Sequence, residues 1–484
     1  MPSFLAFDLG AESGRAMVGR FDGDRLSLEE AHRFPNRPVR VFGSLHWDVL
    51  RLFGEIKKGL AAAGGELASI GVDTWGVDFG LLGPDGALLE NPFHYRDART
   101  NGVMEKLFTV VPRAEVFERT GIQFMQLNTL YQLYALRLER PHVLDQARTL
   151  LMTPDLLHYW LTGRVAGEYT IATTTQFYDP RHGGWAREML ESLGLPDRIL
   201  PQIVPPGTVL GPLLEAVAGE AGVKPVPVVA PASHDTGSAV AAVPAEGDDW
   251  AFLSSGTWSL LGAEVREPII NDQTLKLNFT NEGGVWGTIR LLKNISGMWL
   301  LEECRREWAR QGSSLGYAEL CEAALAAPAF TAVIDPDDPS FLSPGDMPGK
   351  LAAYCRRTGQ PTPEGHGAIT RTIFESLALK YRAVLEMLER IRGRRFCVLH
   401  IVGGGSKNTV LCQFTADATG LPVVAGPEEA TAIGNVLLQA MALGHLRTPG
   451  EARELVRRSC QPRTYVPANR APWDAQLHRI SGLL

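Results

Sequence analysis

The sequence predicts an α/β protein of two related domains that face each other across a cleft. Its 484 residues are too many for one ordinary domain and are typical of two. Short apolar runs alternate with segments of helical periodicity, which favours the α/β class. A strand, a turn of small residues and a returning strand span residues 3–21, and this pattern recurs at residues 250–265. Such an internal repeat indicates that the two domains share one architecture.

The expected domain boundaries follow from a candidate hinge. Residues 244–249 (PAEGDD) have the composition that is typical of linkers between domains. We therefore expect a first domain at residues 1–243, a second domain at residues 244–455 and a C-terminal tail at residues 456–484.

The composition argues against several classes of protein. Acidic residues outnumber basic ones, 54 to 47, which argues against a nucleic-acid partner. No apolar run approaches the roughly 18 residues of a membrane helix, and no signal peptide is visible. The six cysteines form no CxxC pair and are expected to be free thiols. We expect a cytoplasmic protein, monomer or homodimer, with no membrane partner.

Periodicity and turn residues place the individual elements. Strands are expected at residues 3–8, 16–21, 26–34, 70–79, 226–230, 250–253, 259–265, 396–402 and 421–425. Helices are expected at residues 47–63, 113–119, 129–138, 154–162, 185–193, 298–309, 368–392 and 430–443. The proline- or glycine-rich residues 200–212 and 334–367 are expected to form a loop and a surface excursion. Residues 294–297 are expected to cap the helix at 298–309.

Asp235 lies at a junction between a predicted strand and a predicted helix. The apolar residues 226–230 precede it, and the small residues 236–241 follow. The dipole at a helix N-terminus favours an ionised carboxylate, which at the mouth of a cleft can accept a proton from a substrate hydroxyl. Alternatively, Asp235 only caps the helix, and Gly237 eases the turn. Both roles are open from this stretch alone.

The turn at residues 9–15 joins two predicted strands and is rich in small residues. Backbone N–H groups in such a turn can cradle phosphates, and Ser13 and Arg15 could contact them. Asp8, at the end of the first strand, could hold a magnesium ion through water, because magnesium usually keeps several waters. The alternative is an ordinary hairpin with an exposed acid.

Two further turns carry small residues in the second half. Residues 254–258 (SSGTW) repeat the earlier strand–turn–strand pattern. Residues 403–405 are three glycines directly after a predicted buried strand, and they would let a ligand lie against the backbone. The helix after them, beginning near Asn408, could present N–H groups to an anion. A plain glycine-rich turn is the alternative.

Other motifs are absent or misleading. The polar groups of residues 95–101 suit the hydroxyls of a sugar. Residues 78–80 (DFG) and 96–101 resemble protein-kinase motifs. Their order is reversed, however, and no glycine-rich loop or lysine strand precedes them, which argues against a protein kinase. A Walker A run, a convincing dinucleotide motif, HExxH and a nucleophile elbow are also missing.

Taken together, the motifs resemble those of the FGGY carbohydrate kinases. The resembling segments are residues 8–14 (DLGAESG), 74–78 (TWGVD), 233–237 (SHDTG), 254–258 (SSGTW) and 403–406 (GGGS), with Gln413, Ala416 and Asp417. They occur in the family's order and cover nearly the whole chain. The resemblance implies two actin/hexokinase-like (ribonuclease H-like) domains flanking a central cleft, with ATP and Mg²⁺ as cofactors.

Within that family the chain is most similar to the branch that phosphorylates O1 of L-rhamnulose. The residues that suggest this branch are 32–34 (HRF), 46–48 (HWD), 73–78 (DTWGVD), 95–102 (YRDARTNG) and 234–236 (HDT). The expected reaction gives L-rhamnulose 1-phosphate and ADP, in L-rhamnose catabolism. Glu302 departs from the glutamine that this branch carries, and the glycine turn lacks the tryptophan common in the wider family.

The resemblance also implies roles for individual residues. Asp235 would be the catalytic base, and the sugar site would be lined by Gly76, His234, Asp235 and Thr236. Asp8 would order the metal ion. The ATP-binding residues would be Ala11, Glu12, Ser13, Gly14, Arg15, Thr257, Asn294, Glu302 and Gly404.

Two alternative functions stay open at this point. One is a kinase for another ketose, such as L-fuculose or L-xylulose. The other is an actin-like ATPase that acts through protein partners and has no small substrate. The sugar-facing groups at residues 75–76, 95–101 and 234–236 argue against the second alternative.

Overall fold

The chain divides into two units, each assembled from separate stretches of sequence. The structure is a computed structural model, and it describes residues 1–477 and residue 479. The first unit takes Met1–Pro244, Glu264–Leu291 and Ala430–Cys460. The second takes Ala245–Ala263, Leu292–Glu429 and the described part of Gln461–Leu484.

The strands and helices alternate through much of the chain. The strands are β1 Ser3–Leu9, β2 Ser13–Phe21, β3 Leu26–Pro35, β4 Val39–Val41, β5 Ser44–His46, β6 Ser69–Thr74, β7 Phe79–Leu82, β8 Thr149–Met152, β9 Gly167–Glu168, β10 Tyr178–Asp179, β11 Gly184–Trp185, β12 Ile203–Val204, β13 Thr208–Pro212, β14 Pro227–Ala230, β15 Trp250–Ser255, β16 Trp258–Val265, β17 Thr280–Gly283, β18 Ile289–Ser296, β19 Val398–Val402, β20 Val423–Ala425 and β21 Arg463–Tyr465. The α-helices are α1 Val49–Ala63, α2 Val103–Phe108, α3 Arg113–Thr120, α4 Thr129–Glu139, α5 Pro141–Gln146, α6 Thr153–Thr162, α7 Tyr169–Ala172, α8 Arg187–Ser192, α9 Glu215–Ala221, α10 Asp235–Ala241, α11 Asp272–Lys276, α12 Trp299–Arg310, α13 Tyr317–Ala326, α14 Met347–Arg357, α15 Gly365–Arg392, α16 Thr409–Thr419, α17 Ala430–Ala442, α18 Pro449–Ser459 and α19 Ala471–Asp474.

The main sheet of the first unit has the order β13-β14-β6-β1-β2-β3. Strands β1 and β2 form an antiparallel hairpin, and β6 and β14 continue the sheet in parallel with β1. Strand β1 is almost wholly buried, in keeping with its apolar sequence. Because β1, β6 and β14 are parallel, their carboxyl ends lie at one edge of the sheet.

The second large sheet, whose strands β15, β19, β20 and β21 belong to the second unit, repeats this topology. Its order is β17-β18-β16-β15-β19-β20-β21. Strands β15 and β16 form the antiparallel hairpin, and β19 and β20 run parallel to β15. The internal repeat predicted from the sequence is therefore confirmed at the level of strand topology.

Small residues allow two helices of the first unit to approach closely. A Cβ atom on Gly434 of α17 would meet the backbone oxygen of Ser238 of α10 at 1.8 Å. Helix α17 also packs on β1 and β6. The helix expected at residues 430–443 is thus confirmed as α17.

Three expectations about connections are wrong. The single strand expected at residues 70–79 is interrupted, because β6 ends at Thr74 and Val77 adopts a left-handed φ of 69°. The loop expected at residues 200–212 contains β12 and β13, and β13 pairs with β14. Residues 294–297 do not cap a helix, since Asn294 lies in β18 and Met298 is the N-cap residue of α12.

The expected surface excursion at residues 334–367 is also wrong. Ile334, Phe341 and Met347 are fully buried, and α14 packs against α12. The apolar side chains spaced among the prolines and glycines supply core contacts, and their removal from water outweighs the local turn preference. Among the described residues, no helix is long and apolar enough to cross a lipid bilayer.

Candidate active site

Asp235 begins α10 directly after the loop that follows β14. The N-cap residue of this helix is His234, so the alternative role of Asp235 as the cap is wrong. The backbone N–H of Thr236 donates to Oδ1 of Asp235 at 2.6 Å, and the Thr236 hydroxyl donates to the same oxygen at 3.3 Å. The Asp235 side chain is 28% exposed, so its carboxylate remains accessible.

His234 and Gly76 are brought together by the interruption after β6. The N–H of Thr74 donates to the carbonyl of Ser233 at 2.9 Å, which joins the two loops. A Cβ atom on Gly76 would lie 3.3 Å from Nε2 of His234 and 3.4 Å from Thr174. Nε2 of His234 is in turn 3.4 Å from Oδ1 of Asp235. The structure thus places the four predicted sugar-site residues within one cluster.

Glu168 holds the loop that carries His234. Its carboxylate accepts hydrogen bonds from the N–H groups of Ser233, Thr170 and Ile171 and from the Thr170 hydroxyl. The Thr170 hydroxyl also accepts from the N–H of His234 at 3.2 Å. Burial raises the pKa of Glu168 to about 7, although these hydrogen bonds favour its ionised form. No motif in the sequence marks Glu168, so this positioning role was missed.

Three carboxylates lie near the carboxyl ends of the parallel strands. Asp8 and Asp73 are register partners on β1 and β6. Burial, and then the charge of Asp8, raise the pKa of Asp73, while Nδ2 of Asn435 donates to Asp73 at 2.6 Å. Burial and the Asp8 charge also raise the pKa of Asp235. Within residues 1–477 and 479, no group of three or more acids, histidines or cysteines has the arrangement of a metal site.

The turn between β1 and β2 has a defined conformation. The N–H of Gly10 donates to the carbonyl of Ser13, and Nδ2 of Asn36 donates to the carbonyl of Gly10, both at 2.9 Å. A Cβ atom on Gly14 would meet the ring of Phe34 at 2.3 Å. The predicted phosphate-binding residues 11–14 therefore span this ordered turn and the first two residues of β2.

The predicted phosphate ligand Arg15 contacts the predicted metal ligand Asp8. Nη2 of Arg15 donates to Oδ2 of Asp8 at 2.6 Å, and both side chains are largely buried. The two residues are also register partners on β1 and β2. The ion pair places a positive charge beside the carboxylate cluster, close to the turn.

In the second unit, the turn after β15 lies against the glycine turn after β19. Cβ atoms on Gly403 and Gly405 would meet Ser255 at 3.0 and 2.0 Å. A Cβ atom on Gly404 would meet no atom within 4 Å. Of the three glycines, Gly404 thus exposes its backbone to open space.

The same turn also receives the start of α12. The carbonyl of Thr257 accepts from the N–H groups of Gly297 and Trp299 at 3.2 and 3.1 Å. Glu302, one turn further along α12, accepts from Arg305 at 3.1 Å and from the hydroxyl of Tyr317. The structure therefore brings Thr257, Gly404 and the start of α12 together, whereas Glu302 is engaged by side chains of its own unit.

Asp78 is the centre of a second polar cluster in the first unit. Its carboxylate is buried and accepts from the indole N–H groups of Trp47 at 2.5 Å and Trp75 at 2.9 Å. The amide of Gln132 donates to its other oxygen at 2.8 Å. Burial raises the pKa of Asp78 to about 6. The predicted sugar-facing Trp75 thus uses its polar atom to hold Asp78.

Sequence reasoning missed Glu282 and Arg290 entirely. Both side chains are buried, and each approaches Nδ1 of His234, at 3.3 and 3.1 Å respectively. They lie on β17 and β18, far along the chain from His234. No local motif marks them. Glu282 lies in the polar strand β17, and only Arg290, a charged residue among the apolar residues at the start of β18, is unusual by its type.

Comparison with curated proteins gives close relatives over nearly the full length. A rhamnulokinase of Bacteroides thetaiotaomicron is 50% identical over 98% of this chain and 97% of its own length. A rhamnulokinase of Halalkalibacterium halodurans is 43% identical over 96% of this chain and 99% of its own.

Solved structures share the fold at low sequence identity. A ligand-bound xylulose kinase from Lactobacillus acidophilus has a TM-score of 0.82 at 17% identity, covering all of this chain and 98% of that one. Plasmodium falciparum glycerol kinase with ADP has a TM-score of 0.77 at 16% identity, covering all of this chain and 98% of that one. The predicted two-domain actin/hexokinase-like fold is confirmed.

Two family models together match most of the sequence. The N-terminal domain of the FGGY family of carbohydrate kinases matches residues 3–242, and its C-terminal domain matches residues 251–443. A carbohydrate kinase is a phosphotransferase that uses ATP. This chain belongs to the FGGY family of carbohydrate kinases.

Proposed function

We propose that this protein transfers the γ-phosphoryl group of ATP to O1 of L-rhamnulose, giving L-rhamnulose 1-phosphate and ADP in L-rhamnose catabolism. The observation that carries the proposal is the 50% identity to a rhamnulokinase over 98% of the chain. The cluster of Asp235, His234, Thr236 and Gly76 supports it, because a kinase of this kind needs one base beside a polar sugar site.

Asp235 is the catalytic base of the proposed reaction. Burial raises its pKa, which makes it a stronger base than an ordinary aspartate. Among the described residues, its hydrogen bonds from Thr236 both reach Oδ1. Oδ2 is therefore the oxygen that accepts the proton of the sugar hydroxyl as O1 attacks the γ-phosphorus.

The sugar is held by the residues around this carboxylate. A side chain at position 76 would crowd the ring of His234, because a Cβ atom there would lie 3.3 Å from Nε2. Gly76 thereby lets the sugar approach the ring and the backbone. A ketose that cannot pair with the buried polar atoms here leaves them without partners, and this disfavours its binding.

The residues for ATP and Mg²⁺ are proposed by type and position. Residues 11–15 contact phosphate oxygens through the ordered turn and Arg15. Thr257, Asn294, Glu302 and Gly404 contact the nucleotide, and the open space at Gly404 supports its assignment. Asp8 fits Mg²⁺, which binds one or two carboxylates and otherwise waters and phosphates. When bound, Mg²⁺ neutralises charge on the phosphates.

Free cysteines support a cytoplasmic location as part of the proposal. All six cysteines are described by the structure and are free, as predicted. Free thiols are typical of proteins in the reducing cytoplasm.

A coupled assay of ADP release with a panel of ketoses tests the function. L-rhamnulose is expected to give the highest kcat/KM, ahead of L-fuculose and L-xylulose. Phosphorus–proton NMR of the product is expected to place the phosphate on O1. A higher kcat/KM for another ketose would replace the proposed substrate, and ATP turnover that no sugar stimulates would favour the ATPase alternative.

A further inference from the structure

We propose that Arg290 and Glu282 are positioning residues, which act through His234 to present a ring N–H group to the carboxylate of Asp235. The inference rests on the proposed function, because it concerns the base of that reaction. It assigns to two buried charged residues a role in holding the base rather than in stability alone.

Arg290 is a fully buried cation with a fixed position. Its side chain has no exposed surface, and its Nε donates to the carbonyl of Gly283 at 2.8 Å. Nη1 of Arg290 lies 3.3 Å from Oε2 of Glu282, whose side chain is 6% exposed. Glu282 therefore supplies the negative charge that a buried guanidinium requires.

The guanidinium determines which ring nitrogen of His234 carries the proton. Nη2 of Arg290 is 3.1 Å from Nδ1 of His234. A guanidinium group can only donate hydrogen bonds, so Nδ1 of a neutral ring must accept and the proton must be on Nε2. This nitrogen is the one that faces Oδ1 of Asp235, at 3.4 Å.

Protonation of the ring would replace the hydrogen bond from Arg290 to Nδ1, because both groups would then be donors. Oε2 of Glu282 is 3.3 Å from Nδ1 of His234 and would accept from an Nδ1–H group. The second proton of the imidazolium ring would again be on Nε2 and face Asp235. In both cases Oδ1 of Asp235 is turned toward a donor, and Oδ2 is directed to the substrate hydroxyl.

A purely structural role for the same contacts is the alternative. Buried ion pairs often add little net stability, yet removing one partner is strongly destabilising because the other charge is left buried. Loss of stability in a variant of Arg290 or Glu282 therefore cannot separate the two roles. Two measurements can separate them. One is the tautomer of His234, and the other is whether the effect of a substitution on kcat disappears when His234 is replaced.

The first test is NMR of the full chain carrying ¹⁵N-labelled histidine. The His234 signals are assigned by their loss in His234→Asn. We expect Nε2 to be protonated in the wild type and in Arg290→Lys, which keeps a donor, and the Nε2–H population to fall in Arg290→Met. A neutral ring protonated on Nδ1 in the wild type would overturn the proposal. So would an unchanged tautomer in a folded Arg290→Met protein.

The second test is a double-mutant cycle on turnover with L-rhamnulose. Glu282→Gln is expected to lower kcat about tenfold and to change the sugar KM less than twofold. In a His234→Asn background the same substitution is expected to have almost no further effect on kcat, because the ring through which it acts is gone. Equal effects in both backgrounds would contradict the proposal.

The control is Glu264→Gln, which removes a carboxylate from the partly buried ion pair with Arg453 in the same unit. It is expected to lower the melting temperature while leaving kcat near the wild-type value. If no ketose is phosphorylated, the proposed function fails, but the histidine NMR still decides whether Arg290 sets the tautomer. If L-rhamnulose is phosphorylated and the tautomer is wrong, only the present inference fails.

Discussion

Gly76 and the ring of His234 are close neighbours, since a Cβ atom added to Gly76 would lie 3.3 Å from Nε2 of the ring. Such a contact is tighter than most Cβ contacts, so Gly76→Ala would displace the ring or narrow the space beside it. We expect the KM for the sugar to rise about tenfold, with the KM for ATP within twofold of the wild type.

The matched control for this substitution is Gly54→Ala. Gly54 lies inside α1, and a Cβ atom there would meet no atom within 4 Å. Alanine in a helix interior is expected to stabilise the protein by about 1 kcal/mol relative to glycine, without an effect on KM. Unchanged kinetics in Gly76→Ala would argue against a sugar site beside His234.

Asp235→Asn removes the proposed base and keeps the shape of the side chain. We expect kcat to fall roughly 10²–10⁴-fold, which is typical of the loss of a general base. Binding of sugar and ATP, measured by titration calorimetry, is expected to change little. Asp248→Asn, at an exposed aspartate, is the control. Retention of near-normal turnover in Asp235→Asn would refute the role of this carboxylate.

Two substitutions in the glycine turn after β19 can distinguish an effect on ATP binding from an effect on stability. Gly405→Ala is expected to lower the melting temperature, because its Cβ atom would meet Oγ of Ser255 at 2.0 Å. Gly404→Ala is expected to leave the melting temperature unchanged and to weaken ATP binding, because that position faces open space. An ATP affinity that is unchanged in Gly404→Ala would contradict the assignment of Gly404.

Asp8→Asn tests the proposed metal ligand. Removing the carboxylate is expected to raise the Mg²⁺ concentration that gives half-maximal activity by about tenfold. It also leaves Arg15 without its ion-pair partner, which lies 2.6 Å away. Arg15→Met separates the two effects, since it removes the same pair and keeps the carboxylate. An unchanged Mg²⁺ dependence in Asp8→Asn would exclude Asp8 as a ligand.

Glu168 is expected to make the stability of the folded protein depend on pH. Its folded pKa of about 7 lies above the value of about 4.3 for an unfolded glutamate, so the unfolded state releases its proton first. The contribution of Glu168 to stability is therefore complete below about pH 4 and is lost as the pH rises to about 7. Between these two pH values, Glu168 is expected to lower the free energy of unfolding by up to about 1.4 kcal/mol for each pH unit.

The measurement is urea unfolding of the wild type and Glu168→Gln between pH 4 and pH 8. The glutamine variant loses hydrogen bonds to the 233–234 loop and is expected to be less stable at every pH. Its stability is expected to decline less steeply with rising pH than that of the wild type. Parallel curves would show that Glu168 keeps an ordinary pKa in the folded protein.

Much of the fold could be predicted because its signals are local. The apolar run of β1, the turn at Gly10 and the helical periodicity of α15 each lie within one short segment. Errors arose where a local signal conflicted with distant contacts. Prolines predicted a loop at residues 200–212, yet β13 forms because β14 offers its backbone as a partner. Glycine and proline suggested an exposed 334–367 segment, yet Phe341 is fully buried.

The sequence by itself determined which chemical groups lie at the ends of strands. The motifs around Asp8, Asp235 and Gly404 could therefore be predicted from it. The tertiary structure decided which groups face one another. Arg290 reaches His234 across 56 positions of the chain, and Asn435 reaches Asp73 across 362. Such pairs leave no local pattern, because their contact depends on the packing of strands and helices that are distant in sequence. The physical reason is that the burial of apolar surface determines which strands and helices pack together, and this packing determines which side chains meet.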